Sequence, residues 1–241
     1  MQYAWFIWSL ILLLVWLLIY LYKKPLRKEI IMMSLWTMPF GLTEPLFVPE
    51  YWNPPSLFNL AEKTGFDIES LIFTFAIGGI GSVLYKLIFK TVNEPFHVSE
   101  RGKKRHMLHF YSFLLPPAVF LLLAFSTNLN HIYCGSISLF VGAVAAVFCR
   151  PDLKYKIGIG GFLFVVLYFF FFESLITVYP NYVSQVWNFT SISDARIFRV
   201  PITEVMWGFT FGMFWSSLYE HKSWNLLKPI RGFKRHAQLV H

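Results

Sequence analysis

The stretch WFIWSLILLLVWLLIYLY, Trp5 to Tyr22, runs eighteen residues without a charge. That is close to the length a helix needs to cross the hydrocarbon core of a bilayer. Comparable apolar runs recur along the chain, the full set covering about 2–22, 29–47, 68–90, 108–126, 131–149, 157–179 and 201–219. Lipid offers no partner to backbone N–H and C=O groups, so such runs are expected to close their hydrogen bonds internally as helices. Charged residues make up only 14% of the chain against 56% hydrophobic, where a soluble domain carries about a quarter charged. The chain therefore reads as an all-α integral membrane protein with seven transmembrane helices. Its first run has neither a positive leader nor a small-residue cleavage site, which predicts a retained helix.

Numbering the connections alternately segregates the charge. Lys23, Lys24, Arg27, Lys28, Lys86, Lys90, the run Arg101 to Arg105, Arg150, Lys154, Lys156 and the basic residues after Glu220 share one side. Together they are 18 of the 21 basic residues, leaving Lys63, Arg196 and Arg199 opposite. The positive-inside bias makes the first side cytoplasmic, with the N-terminus outside and the C-terminus inside a multi-pass protein of the cell membrane. The net charge of +8 is explained by this topology and by attraction to anionic lipids, with no call for nucleic acid. Cys134 and Cys149 fall at opposite ends of the fifth run, ~22 Å apart along a helix. They cannot bridge one another.

Two stretches align without gaps: FDIESLIFTFAIGGIGSVLYK (Phe66 to Lys86) and VPITEVMWGFTFGMFWSSLYE (Val200 to Glu220). The alignment pairs Ile68 with Ile202, Phe75 with Phe209, Gly78 with Gly212, Ser82 with Ser216, Leu84 with Leu218 and Tyr85 with Tyr219. Trp52-Asn53 and Trp187-Asn188 precede the matched runs at similar distances, and Glu44 and Glu173 close the runs before those. The pattern predicts two three-helix repeats, helices 1–3 and 5–7, made parallel by helix 4 between them, with a site at their interface. The corresponding divisions are 1–90, a loop and linking helix over 91–130, 131–220, and a basic tail over 221–241.

By this topology Glu44, Asp67, Glu69, Glu173 and Glu204 gather near the outer boundary. A carboxylate within a span is costly and calls for a reason. Asp67, Glu69 and Glu204 also suit helix N-termini, where the dipole favours negative charge. Glu173 has no such explanation, since it stands between LFVVLYFFFF and SLITVY. A carboxyl group in apolar surroundings favours its uncharged form and can act as a general acid, while one in a more polar spot acts as base. Phe40 and Phe47 near Glu44, Phe73 near Glu69, Phe169 near Glu173 and Trp207 near Glu204 present ring faces to any cation formed there. With a fifth of the chain aromatic, core packing and lipid contact account for many such neighbours.

Several chemistries lack their residues. No span carries the interior lysine of a retinal protein, and Lys86 and Lys90 fall at a helix end. His106 and His109 are the one close histidine pair, too few for a membrane di-iron site, and read as interfacial. There is no Asp-rich diphosphate motif and no GxGxxG; GGIG and GIGG read as close-packing sites. No metal and no cofactor are expected. Asn188-Phe189-Thr190 is a formal glycosylation acceptor on the outer side.

The stretches EPLFVPEYWNP with FDIESLIFTF, and FESLITVYP, VWNF and VPITEVMWGF with its closing LYE, resemble the lycopene cyclase domain family. These are small membrane carotenoid cyclases, found as heterodimers or as fused tandem domains. The resemblance covers most of residues 26–220. It implies protonation of a terminal double bond of a linear carotenoid, ring closure through a carbocation, and proton loss. The family's Pro-x-Glu-Glu element is divergent: Pro201, Ile202 and Glu204 are kept with Thr203 between them, whereas Asp67, Ile68, Glu69 and Ser70 stand in the first repeat. Each repeat keeps one acid.

The expected catalytic groups are Glu204 and Glu69 as acid and base in either order, with Glu173 and Glu44 as support or relay. Trp52, Trp187, Phe73, Trp207 and Pro201 are expected at the substrate. The partners are an apolar carotenoid or isoprenoid and membrane lipid. Hydration of a carotenoid end group on the same fold, and a carrier or scaffold without chemistry, are the alternatives. The long aromatic outer loops are expected to fold over the outer face as a lid, with Tyr51, Trp52, Tyr182 and Trp187 at the interface. The tail WNLLKPIRGFKRH reads as a basic amphipathic surface stretch.

Overall fold

A computed structural model describes residues 1–95, 101, 104–106 and 109–229, and these are mostly helical. The principal helices are α1 (Ala4–Tyr22), α2 (Arg27–Thr37), α3 (Ile68–Phe89), α4 (Tyr111–Ser126), α5 (His131–Cys149), α6 (Lys154–Val178) and α7 (Ile202–Ser223). Four segments are long and apolar enough to cross a membrane: Ala4–Tyr22, Ile68–Phe89, His131–Cys149 and Pro151–Val178. α4 is apolar but shorter, at 16 residues. α7 has 22 residues but is not among the four.

The run expected as one helix over 29–47 is broken. α2 stops at Thr37 and the chain continues as a 3-10 segment, Met38–Leu46. Pro39 and Pro45 cannot donate to the α-helical ladder. Gly41 lets this segment lie against α3, since a Cβ there would sit 2.8 Å from the backbone of Ser70 and Leu71. α3 starts cleanly because Asp67 caps it, accepting from the Ser70 N–H at 2.5 Å and the Ser70 hydroxyl at 3.1 Å. α5 is capped by Asn130, which accepts from the Ile132 N–H at 3.2 Å.

α7 is the hub of the bundle. It packs along α6 and α5 and also touches α3; α2 and α1 lie on α3, and α4 lies on α5. Trp8 and Trp16 use their indole N–H groups to bond Ser174 and Ser34, each at 2.8 Å, tying α1 to α6 and to α2. Outward faces carry large apolar side chains, among them Leu14, Leu18, Leu122, Phe125, Phe162 and Phe170. Such a surface suits lipid and would be a liability in water.

Four short strands were not expected. β1 (Thr91–Pro95) follows α3, β2 (Arg196–Ile197) and β3 (Val200–Pro201) pair just before α7, and β4 (Asn225–Pro229) follows α7. β1 and β4 pair antiparallel with Asn93 opposite Leu227. Lys90 and Trp224, which end α3 and α7, both adopt the left-handed conformation. The start of the stretch read as a basic amphipathic tail is thus a strand, and its remainder lies outside the described residues. At the other end of the bundle, Trp52 and Trp187 form an isolated antiparallel bridge. The Asn53 N–H donates to the Val186 carbonyl at 2.8 Å, and the Asn188 N–H donates to the Tyr51 carbonyl at 2.9 Å.

Candidate acid–base site

Between the Trp52–Trp187 bridge and the middle of the bundle lies a cavity of about 540 Å³. Its walls come from the 3-10 segment, α3, α4, α5 and α7. Glu44, Trp52, Phe73, Tyr168, Glu204 and Trp207 are among its lining residues. Trp36, Phe40, Leu46 and Leu121 also line it, and each is more than a third exposed. The mouth is therefore apolar and opens on the side of the bundle.

Glu204 stands in the first turn of α7, buried among aromatic rings. One oxygen accepts from the Tyr51 hydroxyl, at short range, and from the Trp187 indole N–H at 3.2 Å. The other accepts from the Tyr168 hydroxyl at 2.7 Å. Tyr51 also meets the Thr203 hydroxyl at 3.1 Å. Burial first, and then the Glu204 charge, hold the Tyr51 phenol well above the usual range, so it remains a proton donor. Three hydrogen-bond donors thus converge on this one carboxyl group, an arrangement that favours negative charge on its oxygens over an undonated carboxyl group.

Glu44 differs. It is buried in the wall of the same cavity, and its Oε1 has no hydrogen-bond partner among the described residues. The 3-10 segment Met38–Leu46 places it there.

Glu69 is buried but does not line the cavity. Its Oε1 accepts the Leu57 N–H at 2.6 Å, fastening the loop ahead of α3, and its Oε2 is buried without a partner among the described residues. Glu173 is partly buried and held by the half-exposed Arg199, whose guanidinium reaches it at 2.5 and 3.0 Å and whose backbone N–H reaches it at 3.1 Å. Trp187 contacts Glu204 from outside the lining, and Pro201 is buried just ahead of α7. Phe73 and Trp207 flank Tyr168, with ring centroids 6.1 and 5.4 Å from it. Trp207, Phe211 and Trp215 stack along one stripe of α7, at 5.0 and 5.4 Å between successive centroids.

Reading the sequence missed Tyr168, the partner that orients Glu204 from α6. The available signal was a lone hydroxyl inside the aromatic run LYFFFF. It also missed a second polar centre at the far end of the bundle. There Lys86 pairs at short range with both Glu29 and Glu220, and Lys156 pairs with Glu220 at 2.6 Å and lies 4.0 Å from Glu29. All four side chains are buried. Their sequence positions at helix ends suggested surface charges.

The fold and site together describe a membrane-type helical protein whose apolar cavity offers carboxyl and phenol groups to an apolar guest. Residues 130–222 match the family model described as lycopene cyclase. That stretch is similar to the lycopene cyclase family, and it contains α5, α6 and α7 with Tyr168, Trp187 and Glu204. The match supports a carotenoid cyclase-type function in general, an apolar isoprenoid substrate and a membrane setting. No curated protein and no solved structure matches the chain.

Proposed function

We propose that the protein closes the end-group ring of a linear carotenoid by proton transfer in the cavity beneath the Trp52–Trp187 bridge. The observation that carries this is the pairing of two unlike carboxyl groups on one aromatic cavity. Glu204 is held by three donors, and Glu44 presents an unpartnered oxygen. Donors already in place around Glu204 stabilise its charge, which suits it to receive the proton lost from the ring. Glu44, whose Oε1 faces the cavity wall with no donor on it, is suited to deliver one. In this scheme Glu44 adds a proton to the terminal double bond, the neighbouring double bond closes on the resulting cation, and Glu204 removes a proton from the ring. The reaction is isomeric, and the proton passes back between the two groups through solvent or substrate exchange. Tyr168, Tyr51 and the faces of Trp207 and Phe211 surround the positive charge.

Glu69 and Glu173 take supporting parts: Glu69 fastens the outer loop and Glu173 binds Arg199. The polyene leaves through the apolar mouth into lipid, since a cavity of this size holds an end group rather than a whole carotenoid.

The same reading includes two three-helix repeats related by a pseudo-twofold axis, with the N-terminus outside. In its support, Lys90 and Trp224 stand 134 positions apart, as do Asn93 and Leu227, which face one another across the β1–β4 pair. The two hydrogen bonds around the Trp52–Trp187 bridge are likewise reciprocal.

Expression in a lycopene-accumulating bacterium, with mass analysis of the pigments, tests the proposal. A product isomeric with lycopene and carrying a cyclic end group is expected. A product heavier by one water would replace cyclisation with hydration. Unchanged pigment beside inserted protein would refute both.

A further inference from the structure

At the opposite end of α7 from Glu204, three side chains that the acid–base scheme does not use converge on one point. Cys149 closes α5, His109 lies just ahead of α4, and His106 lies one turn before that. The Nδ1 of His109 is 3.4 Å from the Cys149 sulfur, and the Nδ1 of His106 is 3.5 Å from it. The three ligand atoms all lie within 4.8 Å of one another. We propose that His106, His109 and Cys149 form a binding site for a borderline divalent cation, zinc in the first instance, and that the ion clasps the segment before α4 to the end of α5.

The distances fit that chemistry. Zinc–sulfur bonds of about 2.3 Å and zinc–nitrogen bonds of about 2.0–2.1 Å at tetrahedral angles separate a sulfur from a nitrogen ligand by roughly 3.5 Å. Both nitrogen–sulfur separations already have that value, so only the two imidazoles need close on each other. One thiolate with two imidazoles is a ligand set that suits zinc and cobalt better than magnesium or calcium.

The surroundings hold the rings in place. The Trp224 ring stacks on His109 with centroids 4.0 Å apart and meets His106 edge-on at 5.1 Å. His221 of α7 has its ring 4.2 Å from that of His109, and its Nε2 is 3.3 Å from the Ser112 hydroxyl. It is placed to complete or orient the fourth position. His106, Cys149 and His221 are each less than a tenth exposed. Arg150, next to Cys149 in the chain, is engaged by Asp152 at 2.6 and 2.8 Å and by the Asn225 carbonyl at 2.7 Å, so its charge is already partly balanced. Packing alone would explain a ring stack on Trp224. It does not explain why both Nδ1 atoms turn to the same sulfur.

Metal binding would displace the thiol proton to solvent and stabilise the folded state that presents the site. The test uses the full chain, purified in detergent without a polyhistidine tag, stripped with chelator and titrated with Co²⁺. One cobalt per chain is expected, with the visible bands of tetrahedral cobalt and a thiolate-to-cobalt charge-transfer band. Cys149→Ser should abolish the charge-transfer band and Cys134→Ser should retain it. His106→Ala or His109→Ala should weaken cobalt binding at least about tenfold. Zinc should raise the unfolding temperature of the parent and leave that of Cys149→Ser unchanged. A folded parent with no charge-transfer band overturns the proposal whatever the variants do. So does a band that survives Cys149→Ser.

Discussion

Replacing Glu204 with glutamine keeps the shape of the side chain and removes its charge. One of its two oxygens becomes an NH2 group, so a hydroxyl or indole N–H that now donates there meets another donor. Tyr51 and Trp187 share one carboxylate oxygen while Tyr168 holds the other, so either Tyr168 turns from donor to acceptor or the indole N–H of Trp187 loses its partner. Loss of a positioned acid or base typically costs 10²–10⁴-fold in rate, about 2.7–5.5 kcal/mol of barrier. Tyr168→Phe removes one hydrogen bond to a charged group, worth about 1.5–3 kcal/mol, and should cost roughly 10- to 100-fold. The graded order, parent above Tyr168→Phe above Glu204→Gln, is the particular expectation. Initial rates of lycopene loss in proteoliposomes, normalised to folded protein by its unfolding temperature, measure it. A Glu204→Gln protein within tenfold of the parent would refute the assignment of Glu204 as proton acceptor.

Glu44→Gln should lower turnover by a similar 10²–10⁴-fold while the protein stays folded, since its Oε1 has no donor to forfeit; unchanged turnover would remove Glu44 from the chemistry. Glu173→Gln, by contrast, breaks a pair with a half-exposed Arg199 and should change turnover less than about threefold, as surface pairs contribute little. Glu220→Gln leaves two buried amines sharing Glu29 alone, and should destabilise the protein by about 3–5 kcal/mol. Adding Lys156→Met should recover much of that loss in detergent unfolding, whereas a double variant less stable than the single would contradict the pairing. Gly78→Val should weaken the α2–α3 contact, because even its Cβ would press on Thr37 and the Met33 carbonyl; destabilisation of about 1–3 kcal/mol by overpacking is expected from the same unfolding measurement.

The spans were legible where hydrophobicity runs unbroken, as in α1, α3, α5 and α6. They were less so over 29–47, where composition says apolar but Pro39 and Pro45 forbid a continuous helix. The strands β1 and β4 escaped notice because each is short and finds its partner 130 or more positions away, a separation no local periodicity reports. Glu204 stood out because an acid in an apolar run is costly. Its tyrosines did not, since a phenol in an aromatic stretch costs little and only the fold turns Tyr168 and Tyr51 onto one carboxylate. Glu69 and Glu44 looked alike in sequence. What separates them is that the loop at Leu57 uses Glu69 as an acceptor, while the 3-10 turn leaves Glu44 open to the cavity.

The buried charge quartet bears on how the halves of the chain recognise each other. Lys86 and Glu220 occupy the same position in the two matched stretches, and they touch. The first half holds Glu29 with Lys86, and the second holds Lys156 with Glu220. Each half is thus neutral by itself. Two copies of the first half would set ammonium against ammonium at the centre, and two copies of the second would set carboxylate against carboxylate. The like-with-like assemblies are penalised and the mixed one is rewarded, so a chain cut between β1 and α4 would yield two pieces that fit each other and not themselves.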